Sequence, residues 1–443
     1  MKAYIYWITF VAVNGGLLFG LNMAGISGAV NSIQDFFQLT DNGIGIVVSS
    51  LMIGCLLGAL FTGALADRFG RKTIFLSVAL LFLFSSLGCA LAQSEGMLVL
   101  FRVIAGFGVG AVSVVGPMYI SEVAPASQRG TLVSYNQFAI TIGILLAYAI
   151  DYFLLDVSGS WRYMLAVPAV FSLLFLLLLM VSFPESPRRL IANGRSEEAQ
   201  SILCRIGGDV FAQQEKTAIE NSLRQETNKE EASFSEIFKG KVGRVVLLGT
   251  LLAAFQQITG INAVVNYAPV IFEQTGVGGD TALLQSVLVG LINFLCTIVA
   301  LWLVDRKGRK VLLLWGAVGM IVSLAYLTAS FAFSWGGIGV LIALLVYISF
   351  FAASFAPVMW VVTSEMFPNR VRGYALSFST GISWICTFLT VQFSPWILNN
   401  WGGATLFGFF GVFSILAFFF VWRYIPETKG KTLEQIEKEL GLK

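Results

Sequence analysis

Apolar runs long enough to cross a bilayer follow one another from the first residues almost to the last, and only one break between them exceeds a short loop. A helix needs about 20 mainly apolar residues to traverse a hydrocarbon core of roughly 30 Å. Splitting the runs at their charged or Gly/Pro/Ser-rich breaks predicts spans near 6–30, 44–66, 73–93, 98–120, 131–153, 163–183, 244–270, 282–304, 311–333, 337–362, 373–396 and 405–425. Inside a bilayer no water satisfies the backbone, so such spans must pair their N–H and C=O groups internally as helices. The expected fold class is an all-α membrane protein with twelve transmembrane helices.

Composition narrows the function. Of the 443 residues, 57% are hydrophobic and 12% charged, against about 25% charged in an ordinary soluble domain. The net charge of +3 is spread in short clusters that form no basic stripe, so no nucleic-acid partner is expected. Four of the five cysteines, at 55, 89, 296 and 386, fall in apolar runs, where a thiol behaves as a small hydrophobe. Neither a disulfide framework nor a metal site is expected, and no cofactor is implied. The first apolar run lacks a strongly basic flank and a small-residue cleavage site, which favours a first span over a signal peptide.

Basic residues concentrate in every second loop: Arg68, Arg71 and Lys72; Arg129; Arg188 and Arg189; Arg306, Lys307, Arg309 and Lys310; Arg370 and Arg372; then the tail. The alternate loops hold mainly acids, among them Asp35, Asp41, Glu95, Asp151, Asp156, Glu273 and Asp280, with Arg162 the exception. The positive-inside rule then places both termini in the cytoplasm, and the lack of long extensions points to a plasma membrane of bacterial type. The polar stretch from Ala192 to Lys241 has helical spacing but too few apolar positions to cross a bilayer. The organisation read from this is a six-helix bundle at 1–190, cytoplasmic linker helices at 191–241, a second six-helix bundle at 242–430, and a cytoplasmic tail at 431–443.

The halves repeat their loop chemistry. Asp67-Arg68-Phe-Gly70-Arg71-Lys72 returns as Asp305-Arg306-Lys-Gly308-Arg309-Lys310, 238 residues later. Ser121-Glu122 returns as Ser364-Glu365, and Pro184-Glu185-Ser186 as Pro426-Glu427-Thr428, at offsets of 243 and 242. Three motif pairs in one order at nearly one spacing imply a duplication, and six spans between copies keep both halves in the same orientation. Transporters that rock two parallel repeats about a central site are built this way. The acids and bases Asp67, Arg68, Arg71, Glu122, Arg129, Glu185, Arg188, Asp305, Arg306, Arg309, Glu365, Arg372 and Glu427 are expected to form a cytoplasmic gate. Carboxylates and guanidiniums there can pair across the two bundles, holding that side shut in one state and parting in the other. The plainer alternative is that the arginines only anchor helix ends at the headgroups.

Together with Phe255-Gln-Gln-Ile-Thr-Gly-Ile-Asn262, these signatures resemble those of the sugar porter family of the major facilitator superfamily. The resemblance covers essentially the whole chain. It implies two pseudo-symmetric six-helix bundles, alternating access without chemistry on the substrate, a functional monomer, and a monosaccharide or related polyol as cargo. Residue by residue, it implies sugar contacts at Gln137, Gln256, Gln257, Asn262 and Asn293, with Trp360 and Trp384 offering flat apolar surfaces and Tyr267 a gate element. Neutral amides suit such a ligand, because they donate and accept hydrogen bonds without the desolvation cost of a charge. Ser134, Gln137, Thr141 and Tyr148 share one helical face, as do Ser377, Thr380, Trp384 and Thr387. Gln256 and Gln257 lie about 100° apart on a regular helix, so both reach one ligand only if the span bends, which Gly260 permits. Singly, these amides can equally bond helix to helix, and Trp360 can be core packing. The chain departs from the family at Asn266, often a tyrosine, at Ser383, an amide, and at Ala356, a glycine.

At the position where proton-coupled members carry an aspartate paired with an arginine, this chain has Asn22 opposite Arg102. Asparagine takes up no proton near neutral pH and the chain has no histidine to shuttle one. Facilitated diffusion is therefore the expected mode, with Arg102 free to snorkel to the interface. Sugar symport with a proton or sodium ion is the alternative, and a transporter-like sensor a second one. An intramembrane enzyme would need a nucleophile with a base, paired acids or metal ligands in the spans, and none is visible.

Overall fold

The computed structural model describes residues 2–125, 128–227, 234–368 and 371–429, and for residues 2, 225–227, 301 and 305 the backbone alone. Among the described residues twelve helices are long and apolar enough to span a membrane. In chain order they are Ala3–Phe37, Asp41–Phe69, Arg71–Ala90, Glu95–Val123, Arg129–Leu154, Ser160–Ser182, Gly240–Glu273, Gly279–Val304, Arg309–Ala332, Ile338–Met366, Arg372–Asn400 and Gly402–Tyr424. Each overlaps one of the predicted runs along most of its length.

The helices form two six-helix bundles whose packing repeats as the loops do. The second span packs on the fourth, the first on the fifth and the third on the sixth; the eighth packs on the tenth, the seventh on the eleventh and the ninth on the twelfth. The bundles meet along two seams, the second span against the eleventh and the fifth against the eighth, with the first also touching the seventh. Helices in lipid gain no hydrophobic energy by associating, so close backbone approach through small residues must supply packing. Gly54 and Gly58 on the second span face Gly106 and Gly110 on the fourth, and a Cβ at Gly106 would lie 1.9 Å from the carbonyl oxygen of Leu51.

Three spans are not continuous helices. The first changes at Ser27–Ala29 into a short tight turn before continuing. Asp151, which the sequence reading assigned to a loop, lies enclosed in the fifth span and accepts a hydrogen bond from the Gly28 N–H at 3.0 Å, pinning that turn. The seventh span stops at Ile258 and restarts at Ile261 across Gly260, whose φ of +98° only glycine adopts freely. The tenth stops at Ala353 and restarts at Phe355.

Between the bundles run three helices, Pro187–Ala192, Ser196–Gly207 and Asp209–Thr227, with a small apolar core of Leu190, Ile191 and Ala199. Arg205 lies 3.9 Å over the ring of Tyr4, tying these helices to the first span. Further on, Phe238 meets Phe378 of the eleventh span edge to face at 5.2 Å. The tail expected at 431–443 lies outside the described residues.

The glycine seam yields a direct test. Gly106→Ala is expected to abolish a monodisperse size-exclusion peak or lower the unfolding temperature sharply, since overpacking against backbone costs about 1–3 kcal/mol or more. Gly130→Ala, where nothing lies within 4 Å, is expected to leave both unchanged.

Candidate substrate and coupling sites

The break in the seventh span gathers the amides that the sequence singled out. Gln256 and Gln257 close its first helical piece, and Asn262 begins the second. Asn262 Nδ2 donates to Gln257 Oε1 at 2.6 Å; Gln257 Nε2 donates to Gln256 Oε1 at 3.1 Å and to Ser383 Oγ at 3.0 Å. Gln256 Nε2 in turn donates to the carbonyl of Phe355 at 2.9 Å, at the break of the tenth span. The carbonyl of Thr259, freed at the turn, accepts from the Tyr347 hydroxyl at 2.8 Å. Two of the three discontinuities, those of the seventh and tenth spans, are thus stitched together by neutral donors and acceptors.

Around it stand the other candidates. Gln137 and Asn293 are half-buried on the fifth and eighth spans, where those spans meet, beside Phe138 and Phe294 whose rings lie 4.9 Å apart. No described hydrogen bond engages either side-chain amide. Trp384, next to Ser383, lies 6.2 Å from Phe19 of the first span. Trp360 is 42% exposed, so it is not core packing. Tyr267 is buried, with its hydroxyl donating to the carbonyl of Val391 at 3.1 Å. Ser383 and Asn266 both depart from the family pattern, and Asn266 is also one of the polar positions of the seventh span. The structure makes Ser383 the partner of Gln257 and leaves the buried Asn266 Oδ1 without a partner. Their residue type gave a signal, but only the crossing of the seventh and eleventh spans says what Ser383 touches.

The coupling position differs from expectation. Arg102 does not snorkel: it is 2% exposed, because the close second-to-fourth seam encloses it. Its guanidinium donates to the carbonyls of Val48 at 3.0 Å, Asn22 at 3.2 Å and Val47 at 3.4 Å. The Asn22 carbonyl is available because it lies in the last turn of a helix. One N–H of the Asn22 amide donates to the Leu18 carbonyl of its own helix at 2.9 Å. Among the described residues no carboxylate pairs with Arg102.

The repeated loops also pair differently from the expectation. Arg71 binds Glu122 at 2.8 Å and Asp67 at 2.9 Å, and Arg309 binds Glu365 at 3.1 Å, so each described ion pair of these loops stays within one bundle. The reason is local. Each turn holds Gly70 or Gly308 at φ near +94° or +93°, which exposes the first N–H groups of the next helix. Glu185 accepts from the Arg71 N–H at 2.9 Å, and Glu427 from the N–H of Arg309 at 2.9 Å and of Lys310 at 3.1 Å. A carboxylate at a helix N-terminus is favourable electrostatically. Of the remaining gate candidates, Arg68 lies over Phe69, Arg306 over Trp302, Arg188 reaches Ser222 and Arg372 binds the Phe367 carbonyl, while Arg129 is exposed. The side chain of Asp305 lies outside the described residues.

At the opposite, acidic end the bundles are joined. Asn31 Nδ2 donates to Glu273 at 2.6 Å, Asn399 to Asp41 at 2.8 Å and Ser49 to Gln392 at 2.6 Å, while Tyr148 donates to the Val265 carbonyl at 2.7 Å. Among the described residues no hydrogen bond or ion pair joins the bundles at the basic end. Among the described residues, the bonds that join the bundles lie at the acidic face.

A family model described as "Sugar (and other) transporter" matches residues 8–440. The chain belongs to the sugar transporter family. It is 38% identical to the D-xylose-proton symporter of Escherichia coli K12 over 98% of this chain and 96% of that one. It is also 38% identical to the glucose transporter GlcP of Staphylococcus epidermidis, over 99% and 98%. An inward open structure of the E. coli xylose transporter XylE superposes with a TM-score of 0.88 at 38% identity, covering 98% of this chain and all of that one. The protein is therefore a multi-pass membrane transporter of the major facilitator fold, and not an enzyme.

The helix-terminal carboxylates carry a stability prediction. Burial works to raise the Glu427 value, but the N–H groups of Lys429, Arg309, Lys310 and Thr428 together hold it below the usual range. A lowered value stabilises the fold above the ordinary glutamate range, and the contribution is lost as pH falls from about 4 through the lowered value. Glu427→Gln is expected to cost about 1 kcal/mol at pH 7 and to flatten the acid limb of unfolding temperature against pH.

Proposed function

We propose that this transporter carries a monosaccharide, hexose or pentose, or a related polyol, by facilitated diffusion. The observation that carries the uncoupled reading is Arg102 enclosed beside Asn22 with carbonyls as its only described partners. A proton carrier at this position needs a side chain that gains and loses a proton in the working range, and asparagine does neither. The amide network, with Gln137, Asn293, Trp360 and Trp384 around it, is the reading's sugar site. Hydroxyls that both donate and accept replace the amide-to-amide bonds as the ligand enters.

In this reading the basic loops face the cytoplasm and the protein, a monomer in the plasma membrane, is inward-facing. The division into 1–190, 191–241, 242–430 and 431–443 follows the two bundles, with the last segment outside the described residues. The loop networks act as gate elements by stiffening the cytoplasmic end of each bundle, so that each moves as one body when the face closes. Proton symport is the second reading. It is favoured by the name of the xylose-proton relative and by Asp151, a carboxylate enclosed beside the turn of the first span.

Reconstituted protein is expected to exchange labelled glucose, galactose, xylose or inositol in counterflow, and to accumulate none when given a proton gradient without a sugar gradient. Accumulation would establish the symport reading, and absence of exchange with every sugar would remove the substrate class. Gln257→Ala strands partners on Asn262, Gln256 and Ser383 and is expected to weaken sugar affinity about tenfold, the equivalent of 1.4 kcal/mol. Ser383→Ala is expected to weaken it less, with Ser383→Thr restoring it.

A further inference from the structure

A guanidinium keeps its charge under all working conditions and carries five N–H donors. Three described bonds from Arg102 go to main-chain carbonyls, which bring partial charge but no neutralising anion. Enclosing a charge without a counter-charge is among the more expensive things a fold can do. Beside Arg102 lies a cavity of about 10 Å³, the room of roughly one water molecule. Asn22, Ser86, Cys89 and Met164 line it together with Arg102. The Ser86 hydroxyl is buried and has no hydrogen-bond partner. The space thus has a permanent cation on its wall and is lined by a residue whose buried hydroxyl is unmet.

We propose that this cavity binds a single small monovalent anion, chloride being the available one, held by Arg102, Ser86 and the free N–H of Asn22. The size excludes phosphate, sulfate and carboxylates. Met164, a flexible side chain that adapts its shape, gives the small extra radius that a halide needs over water. A water molecule would satisfy Ser86 as well, but it would leave the charge of Arg102 uncompensated in a region of low dielectric. The ion stands where the family resemblance puts a carboxylate, so the proposal rests on the reading of Asn22 as a neutral replacement. It concerns binding, however, and not the direction or coupling of sugar flux.

The test is the unfolding temperature of the purified full-length protein, titrated with sodium chloride against sodium gluconate at constant ionic strength. The expected result is a saturable rise with chloride. Ser86→Ala is expected to raise the half-saturating concentration at least threefold. Asn22→Asp, which supplies its own carboxylate, is expected to lose the response while being at least as stable as the unaltered protein without chloride. Equal unfolding temperatures in chloride and gluconate at all concentrations would mean that the cavity holds water only and would overturn the proposal. An undiminished response in both variants would place the chloride effect elsewhere and overturn it too. Transport coupling is read separately, by the proton-gradient experiment, so either reading can fail while the other stands.

Discussion

Every polar group of the backbone that enters the hydrocarbon must find a partner within the protein. A continuous helix meets that demand by itself, and nine of the twelve described spans do little else. A carrier needs non-helical backbone where it handles its cargo, and each interruption frees groups that other spans must satisfy. The hydroxyl of Tyr347 takes the Thr259 carbonyl, Gln256 takes that of Phe355, Asp151 takes the N–H of Gly28 and Arg102 takes the Asn22 carbonyl. The breaks and the polar side chains are one device: the helices can stop there only because those side chains arrive from neighbours.

The duplication is visible down to individual bonds. Glu185 and Glu427 accept main-chain N–H groups at the start of the third and ninth spans, and Arg71 and Arg309 reach Glu122 and Glu365 in the same way. The copies are not identical in detail. Ser186 donates to Glu122 in the first bundle, whereas its counterpart Thr428 and the Oε2 of Glu365 have no partner in the second. The motif therefore builds a rigid loop in each half before it does anything between them. That explains why its described ion pairs form inside each half and not between the halves.

Much of the candidate site's polar chemistry was legible because side-chain chemistry in lipid is so restricted. Gln256, Gln257 and Asn262 stood out as amides clustered around a glycine, and they do form a connected network. Gln137 and Asn293 were legible as polar positions in their spans but have no described side-chain partner. Arg102 was misjudged for a physical reason. Whether a long cationic side chain reaches the interface depends on how tightly the neighbouring helix closes over it, and that depth is set by the glycines of the second and fourth spans. Asp151 is similar: it falls inside the predicted span of 131–153 although its charge grouped it with the loop acids, and what encloses it is the turn of the first span packed against it at Gly28.

By itself the sequence determined the number of spans, their helical character, the duplication and the kind of ligand the amides suit. Those follow from local rules: the length of an apolar run, the period of a motif and the donors and acceptors on a side chain. Only the tertiary structure decided that the repeated charges pair within bundles, that Ser383 rather than an amide steadies Gln257, and that Arg102 is sealed beside a small cavity. These depend on which faces of helices far apart in sequence come together. No pattern along the chain encodes the depth and register of a helix crossing, because both emerge from small residues on two spans meeting at once.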